Sequence, residues 1–297
     1  MKTNKKKEWS LKAWLNTESV AGYVFTLPLI IGFLFFIMVP MVTSMYYSFC
    51  SYNVLKPETW VGLNNFTKMF ADEDFYTSLW ATFKFALVSV PLKLAFALLV
   101  ALVLLRNTKL TPVYRAAYYL PSILGSSVAV AILWKRMFSV DGLINKILGT
   151  DIVWLGQPGT AMWVIIILAV WQFGSSMLIF LSAMKQIPSS LYEAARVDGA
   201  GPVRSFFKIT MPLLTPTIFF NLVMQTINGF TVFAQGQIIT DGKPMNSTLF
   251  YVLYMYKQSF EFSNVGYAAA MGWLLISIML AYTGILFFSK RYWVYEE

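Results

Sequence analysis

Apolar residues run through this chain in long blocks without alternation, separated by short polar stretches. Six blocks reach the roughly 20 residues that a helix needs to cross a bilayer. They are Gly22–Phe49, Leu79–Leu105, Val113–Phe138, Thr160–Met184, Leu213–Thr240 and Ala268–Ser289. The pattern predicts an all-α integral membrane protein of six transmembrane helices. A tail, 1–21, precedes the six-span unit 22–289, and a short tail, 290–297, follows it. The first block runs well past the apolar core of a signal peptide and lacks a small-x-small cleavage site, so it is read as the first span.

Composition narrows the chemistry. The chain is 58% hydrophobic and 12% charged, far too apolar for a soluble domain of 297 residues. It has no His and one Cys, Cys50, which excludes an intrachain disulfide and argues against a His- or Cys-based metal site. A net charge of +9 raises the question of nucleic acid, but its distribution answers it differently. Lys2, Lys5, Lys6, Lys7 and Lys12 precede span one; Arg106, Lys109 and Arg115 follow span two. Lys185, Arg196, Arg204 and Lys208 follow span four, and Lys290 and Arg291 follow span six. The alternate connections are poorer in base. The positive-inside rule then puts both termini in the cytoplasm and accounts for the excess charge without nucleic acid.

The stretch after span four, 185–212, is too polar for lipid and too patterned for slack loop. Ser190 and Glu193 have the spacing of a capping box, which predicts a helix starting there. Gly199 suits the left-handed position that closes it. Gly201-Pro202 predicts a second short helix, Val203 to about Thr210, stopped by Pro212. Two short helices at the cytoplasmic face form a docking surface. Ala194 and Ala195 let a partner approach the backbone, while Glu193, Arg196 and Asp198 supply charge.

Glu193-Ala194-Ala195, Gly199 and Ile209-Thr210-Met211-Pro212 resemble the EAA motif of ABC-importer permeases. Asp198-Gly199-Ala200-Gly201 and the later Phe-x-x-Ile-Thr-x-Pro resemble the maltose and multiple-sugar branch, as do Leu27-Pro28, Gly32-Phe33, Pro40 and Ser48-Phe49 of span one. The segment Val61-Gly62-Leu63-Asn64-Asn65-Phe66 resembles that branch's V-G-L-x-N-F. The resemblance implies the type I importer fold, with a coupling helix between spans four and five. It implies that Glu193, Ala194, Ala195, Asp198 and Gly199 couple the chain to an ATPase. It also implies the partners: a second, homologous permease in a heterodimer, two ATPase subunits, an extracellular solute-binding protein and a carbohydrate substrate. ATP and Mg belong to the ATPase subunits, and this chain binds no cofactor.

Span five places Asn221, Gln225 and Asn228 at i, i+4, i+7, on one helical face. Such amides beside aromatics suit sugar hydroxyls, or serve as glue between helices. The resemblance carries substrate positions onto Gln225, Asn228, Gly229 and Val232, and in span four onto Leu168, Trp171, Gln172 and Ser175. Val232 and Leu168 lack a polar group, which leaves Trp171, Gln172, Ser175, Gln225, Asn228 and Gly229 as substrate-binding candidates. Lys93 sits mid-span, where a lipid-facing charge is costly. It lines a water-filled path and meets an acidic sugar, or pairs with a partner subunit, or marks a span shifted in depth. No enzyme motif is present: no HExxH, GxSxG or GxxxxGK[ST]. The rival reading is a stand-alone secondary carrier or channel for a small polar solute. It lacks intramembrane carboxylates, since all 14 acidic residues lie outside the six blocks.

Overall fold

The computed structural model describes residues 18–53, 56–105, 109–125 and 127–295. The N-terminal lysines and Arg106 lie outside these residues, as does most of the 1–21 tail. The described chain is mostly helical. Helix α1 (Glu18–Phe33) and α2 (Val39–Ser48) are joined by a π-helical turn. A β-hairpin follows, β1 (Cys50–Asn53) with β2 (Lys56–Trp60), antiparallel. Next come α3 (Asn64–Phe70), α4 (Glu73–Leu104), α5 (Thr111–Leu124), α6 (Val128–Met137) and α7 (Leu143–Leu148). The second half holds α8 (Pro158–Trp171), α9 (Gly174–Gln186), α10 (Ser189–Val197), α11 (Pro202–Ser205), α12 (Met211–Phe230), α13 (Tyr251–Tyr256) and α14 (Val265–Trp293).

Among the described residues, four helical runs are long and apolar enough to cross a membrane: Gly22–Ser48, Glu73–Leu104, Pro202–Phe230 and Val265–Trp293. The pairs α5–α6 and α8–α9 qualify only when each is taken as one span bent by more than 40°. Spans three and four are therefore not the straight helices that block length predicts. The hairpin is a second departure from an all-α reading, too short for block-length patterning to reveal.

Helix α4 is the hub, packed against α8, α9 and α12. Its buried row runs Ala81, Thr82, Phe85, Ala86, Ser89, Val90, Leu94, Ala97, Ala101 and Leu104, single residues or adjacent pairs recurring every three or four positions along one face. Five of these are Ala or Ser at the contacts. In lipid no hydrophobic force drives helices together, so close packing through small residues does that work. Two apolar clusters result. One gathers Phe75, Phe85, Ile165, Phe230, Phe250, Tyr251 and Met271; the other gathers Val90, Leu94, Phe173, Met177, Phe180 and Leu214. By contrast, no residue in the apolar window of the α1–α2 run is buried within the chain, and apart from the side of α2 that packs on α14 its surface is left for lipid or a neighbouring subunit.

The expected stop at Pro212 does not occur. Residues Pro202–Phe230 form one helical run. A proline ring collides with the carbonyl four residues back and offers no N–H. Here a π-turn, Phe206–Thr210, stands directly before it, closed by the Met211 N–H to the Phe206 carbonyl. The widened turn lets the helix pass the ring. The same device recurs at Leu34–Met38, directly ahead of Pro40.

Polar contacts fix the end of the bundle that carries the hairpin. Asn65, buried, donates to the carbonyls of Ser48 and Cys50, at 2.9 and 2.8 Å. Gly62 adopts a positive φ of 59° in the turn before it. The V-G-L-x-N-F segment thus clamps the end of α2 and β1. Asp72 caps α4 by accepting from the Asp74 N–H, and its other oxygen accepts from the hydroxyls of Tyr254 and Tyr267, at 2.5 and 2.6 Å. Burial first, and then the Asp72 carboxylate, hold the Tyr254 hydroxyl above its ordinary pKa. A raised folded-state pKa contributes stability that is intact below the unfolded value and lost above it. Stability in detergent is therefore expected to stay level with respect to this group up to about pH 10 and fall beyond it. Removing the hydroxyl with Tyr254→Phe should flatten that alkaline limb in a pH series of melting curves; an unaltered limb would refute the assignment.

Candidate functional site

A cavity of about 240 Å³ opens where the two apolar clusters meet. Helix α4 contributes Phe85, Ser89, Val90 and Lys93, successive turns of one face. Helix α8 contributes Ile165 and Ala169, and Gln172 follows at its end. Helix α12 contributes Gln225, Asn228 and Gly229, with Val232 and Gln235 just beyond it. Gly229 allows this assembly: a Cβ there would sit 3.1 Å from the Ala86 Cβ, so α12 lies against α4 closely enough to aim its amides at the same space. The lining therefore combines four amides, one hydroxyl and one ammonium with apolar walls, and no carboxylate.

Span four breaks at this cavity. Between α8 and α9, bent by 41°, the Gln172 carbonyl and the Ser175 N–H stand at the interrupted helix ends, where backbone groups need partners from outside the helix. Ser122 of α5 supplies both, donating to the Gln172 carbonyl at 3.1 Å and accepting from the Ser175 N–H at 3.0 Å. Gly174 makes room for α5, because a Cβ there would lie 2.4 Å from the Tyr118 carbonyl oxygen. The Gln172 side chain donates to the Gly125 carbonyl at 3.2 Å. Ser122→Ala removes two hydrogen bonds from a partly buried break, so unfolding free energy should drop by about 1–3 kcal/mol. A thermal melt of the variant in detergent that superimposes on the parent would show the staple to be dispensable.

Of the residues singled out from the sequence, Gln172, Gln225, Asn228, Gly229 and Lys93 come together around this cavity. Trp171 and Ser175 are not part of its lining. The Trp171 ring packs on Trp134 with centroids 5.7 Å apart, in a separate cluster that holds Leu168. Asn221 shares a helical face with Gln225, yet is buried and donates to the Thr217 carbonyl of its own helix at 3.0 Å. Two polar lining residues, Ser89 and Gln235, were not among the candidates. Ser89 was within reach, since Ser89 and Lys93 form an i, i+4 polar pair inside an apolar block.

The second candidate region is the docking helix. Helix α10 begins at Ser189 with Pro188 as N-cap, and no side chain caps it. The capping box expected from Ser190 and Glu193 is not formed. Extended backbone at Pro188 starts the helix two residues early, which carries Ser190 into the first turn, where its hydroxyl no longer faces the free N–H groups. The C-terminal end follows expectation. Gly199 has φ +75°, the Ala200 N–H reaches the Ala195 carbonyl at 2.8 Å, and the Gly199 N–H reaches Arg196 at 3.0 Å, a Schellman closure. Tyr192 bonds through its hydroxyl to Thr210 at 2.8 Å, tying α10 to the root of the long α12 run. Glu193, Ala194, Asp198 and Gly199 are exposed, and Ala195 is half-buried.

Comparison with known proteins agrees with this architecture. Residues 93–292 match the family model described as binding-protein-dependent transport system inner membrane component. The chain is 50% identical over 291 residues to the probable ABC transporter permease protein YesP of Bacillus subtilis (strain 168), covering 95% of this chain and 94% of that protein. It is 31% identical to the arabinooligosaccharides transport system permease protein AraP of the same strain, over 89% of this chain and 86% of AraP. A solved chain from a bacterial ABC transporter involved in the import of the acidic polysaccharide alginate has a TM-score of 0.81 at 23% identity, covering 94% of this chain and 98% of that one, a likeness of fold. These matches displace the stand-alone carrier. The chain belongs to the binding-protein-dependent transport inner membrane components, as a transport subunit, not an enzyme, of the carbohydrate ABC importers.

Proposed function

We propose that this chain is half of the sugar path of an ATP-driven importer. Its six spans, counting each bent pair as one, pair with those of a second, homologous permease. Both termini and the 185–212 segment face the cytoplasm, where α10 seats in one of two ATPase subunits. ATP and Mg are held there, and no cofactor is held by this chain. An extracellular binding protein hands over the substrate, an oligosaccharide, and ATP-driven closure of the ATPases moves the cavity from outward-facing to inward-facing.

One observation carries the reading. Among the described residues, the side-chain amides of Gln225, Asn228 and Gln235 make no hydrogen bond to protein, although they stand together on the wall of one cavity. Amides serving as interhelical glue would be bonded across the helices. Amides held toward a cavity with apolar walls suit the hydroxyls and apolar ring faces of a sugar.

The double variant Gln225→Ala/Asn228→Ala tests it. Loss of two such bonds, about 1–3 kcal/mol, corresponds to a decrease in uptake of roughly 5- to 150-fold. Uptake would be measured in proteoliposomes holding the complete complex, with the amount of assembled complex checked by gel filtration. A double variant that assembles and transports at the parental rate would sink the assignment.

A further inference from the structure

Resting on that reading, we propose that the imported sugar is a monoanion at the subsite this chain provides, a uronic-acid unit whose carboxylate meets Lys93. Lys93 lies on the α4 face that lines the cavity, with Ser89 one turn before it and Gln225, Asn228 and Gln172 from the helices opposite. It is the one charged residue of the lining among the described residues. Its ammonium makes no ion pair or hydrogen bond to the described protein. The carboxylates of the two ion pairs seen among the described residues, Asp141 and Asp241, belong to loops and engage Arg136 and Lys257.

A lone ammonium at this depth is costly unless something compensates it. Its surroundings differ from those of Lys84 on the same helix, which lies over the Trp80 ring, 5.7 Å from its centroid. Lys93 instead faces amides able to bind hydroxyls on either side of a charged group. One positive charge matches one carboxylate; a phosphate, carrying close to two charges, would leave the cavity net negative. The ammonium is a point donor with three rotatable N–H groups and requires no fixed carboxylate plane, which suits a ligand that must also leave.

The test uses the complete complex, reconstituted in liposomes with its binding protein, and two probes of one skeleton: a diuronate and its methyl diester. The parent complex is expected to take up the acid at least tenfold faster than the ester. Lys93→Met should reduce that acid-to-ester ratio at least tenfold, and Lys93→Arg should restore most of it. A Lys93→Met complex that assembles and keeps the parental ratio overturns the proposal, as does a parent that prefers the ester. A loss of assembled complex in both Lys93→Met and Lys93→Arg, with an unchanged ratio in what remains, assigns the charge to subunit contact and overturns it too. If the Gln225→Ala/Asn228→Ala variant slows uptake of both probes while the Lys93→Met ratio is unchanged, the sugar path stands and only the anionic specificity falls. A parent complex that imports no carbohydrate removes both.

Discussion

Gly199→Val is expected to cut ATP-driven uptake by roughly an order of magnitude while leaving the permease assembled. Gly199 closes α10 at φ +75°, where its Cα carries no side chain to strain. An L-residue in that left-handed region costs about 1–2 kcal/mol, and a β-branched one sits at the upper end. Nothing lies within 4 Å of a Cβ built at this position, so the effect would come from the backbone and not from a clash. That strain shifts the population of correctly closed helix ends by roughly 5- to 30-fold. The exposed Glu193, Ala194 and Asp198 would then be presented at the wrong angle to the ATPase. Asn tolerates the left-handed region, so Gly199→Asn should retain most of the uptake. Parallel assays of uptake and ATP hydrolysis check this: Gly199→Val should keep basal hydrolysis and lose its coupling to sugar movement. Normal uptake by the valine variant would remove the docking end of α10 from the coupling path.

Asp72→Ala should give the largest loss of stability. This carboxylate caps the hub helix and accepts two tyrosine hydroxyls, one from α13 and one from α14, so three elements converge on it. Loss of an N-cap costs about 0.5–2 kcal/mol, and each hydrogen bond to a charged group about 1.5–3 kcal/mol. Because they share one anchor these contributions do not add fully, and a total of about 3–5 kcal/mol is expected. Tyr254 would retain the bond it accepts from Gln258, which sets the lower end of the range. Asp72→Asn keeps an acceptor oxygen and should recover about half of the loss. Denaturant titration in micelles measures the difference; a loss below about 1 kcal/mol would mean that the convergence of three elements there carries no weight.

Much of this molecule is readable from its residues because lipid restricts what a sequence can do. Long apolar blocks have to be helices, so the elements were legible, and Gly199 closes its helix as its neighbours predict. The amide face of span five was legible in part. Gln225 and Asn228 reach the cavity, but Asn221, on the same face, turns back to its own helix. Periodicity identifies a face; it does not say where along that face the opening ends. Trp171 and Ser175 fell outside the lining for another reason. The break after Trp171 resets the rotation of everything that follows, and only Ser122, some 50 positions away in sequence, reveals how the broken ends are satisfied. Pro212 misled because the rule that proline ends a helix assumes a regular turn before it. The turn at Phe206–Thr210 is not regular.

That widened turn sits between the docking helix and the amide face, and it holds a surplus residue without changing their angular phase. A π-turn holds one residue more than the α-turn it replaces. Delete any one of Phe206–Thr210 and the turn can close to ordinary pitch, the remaining residues covering about the rotation that the longer turn had covered, so the helix beyond it keeps its phase. The same loss from the regular helix between that turn and the cavity would rotate Gln225 and Asn228 by about 100°, away from Lys93, although no residue of the cavity had changed. The mutual orientation of an ATP-driven lever and a sugar-facing surface is thus tolerant of a lost residue at this widened turn, about 20 Å along the helix from the cavity, and intolerant of one in the regular helix between them.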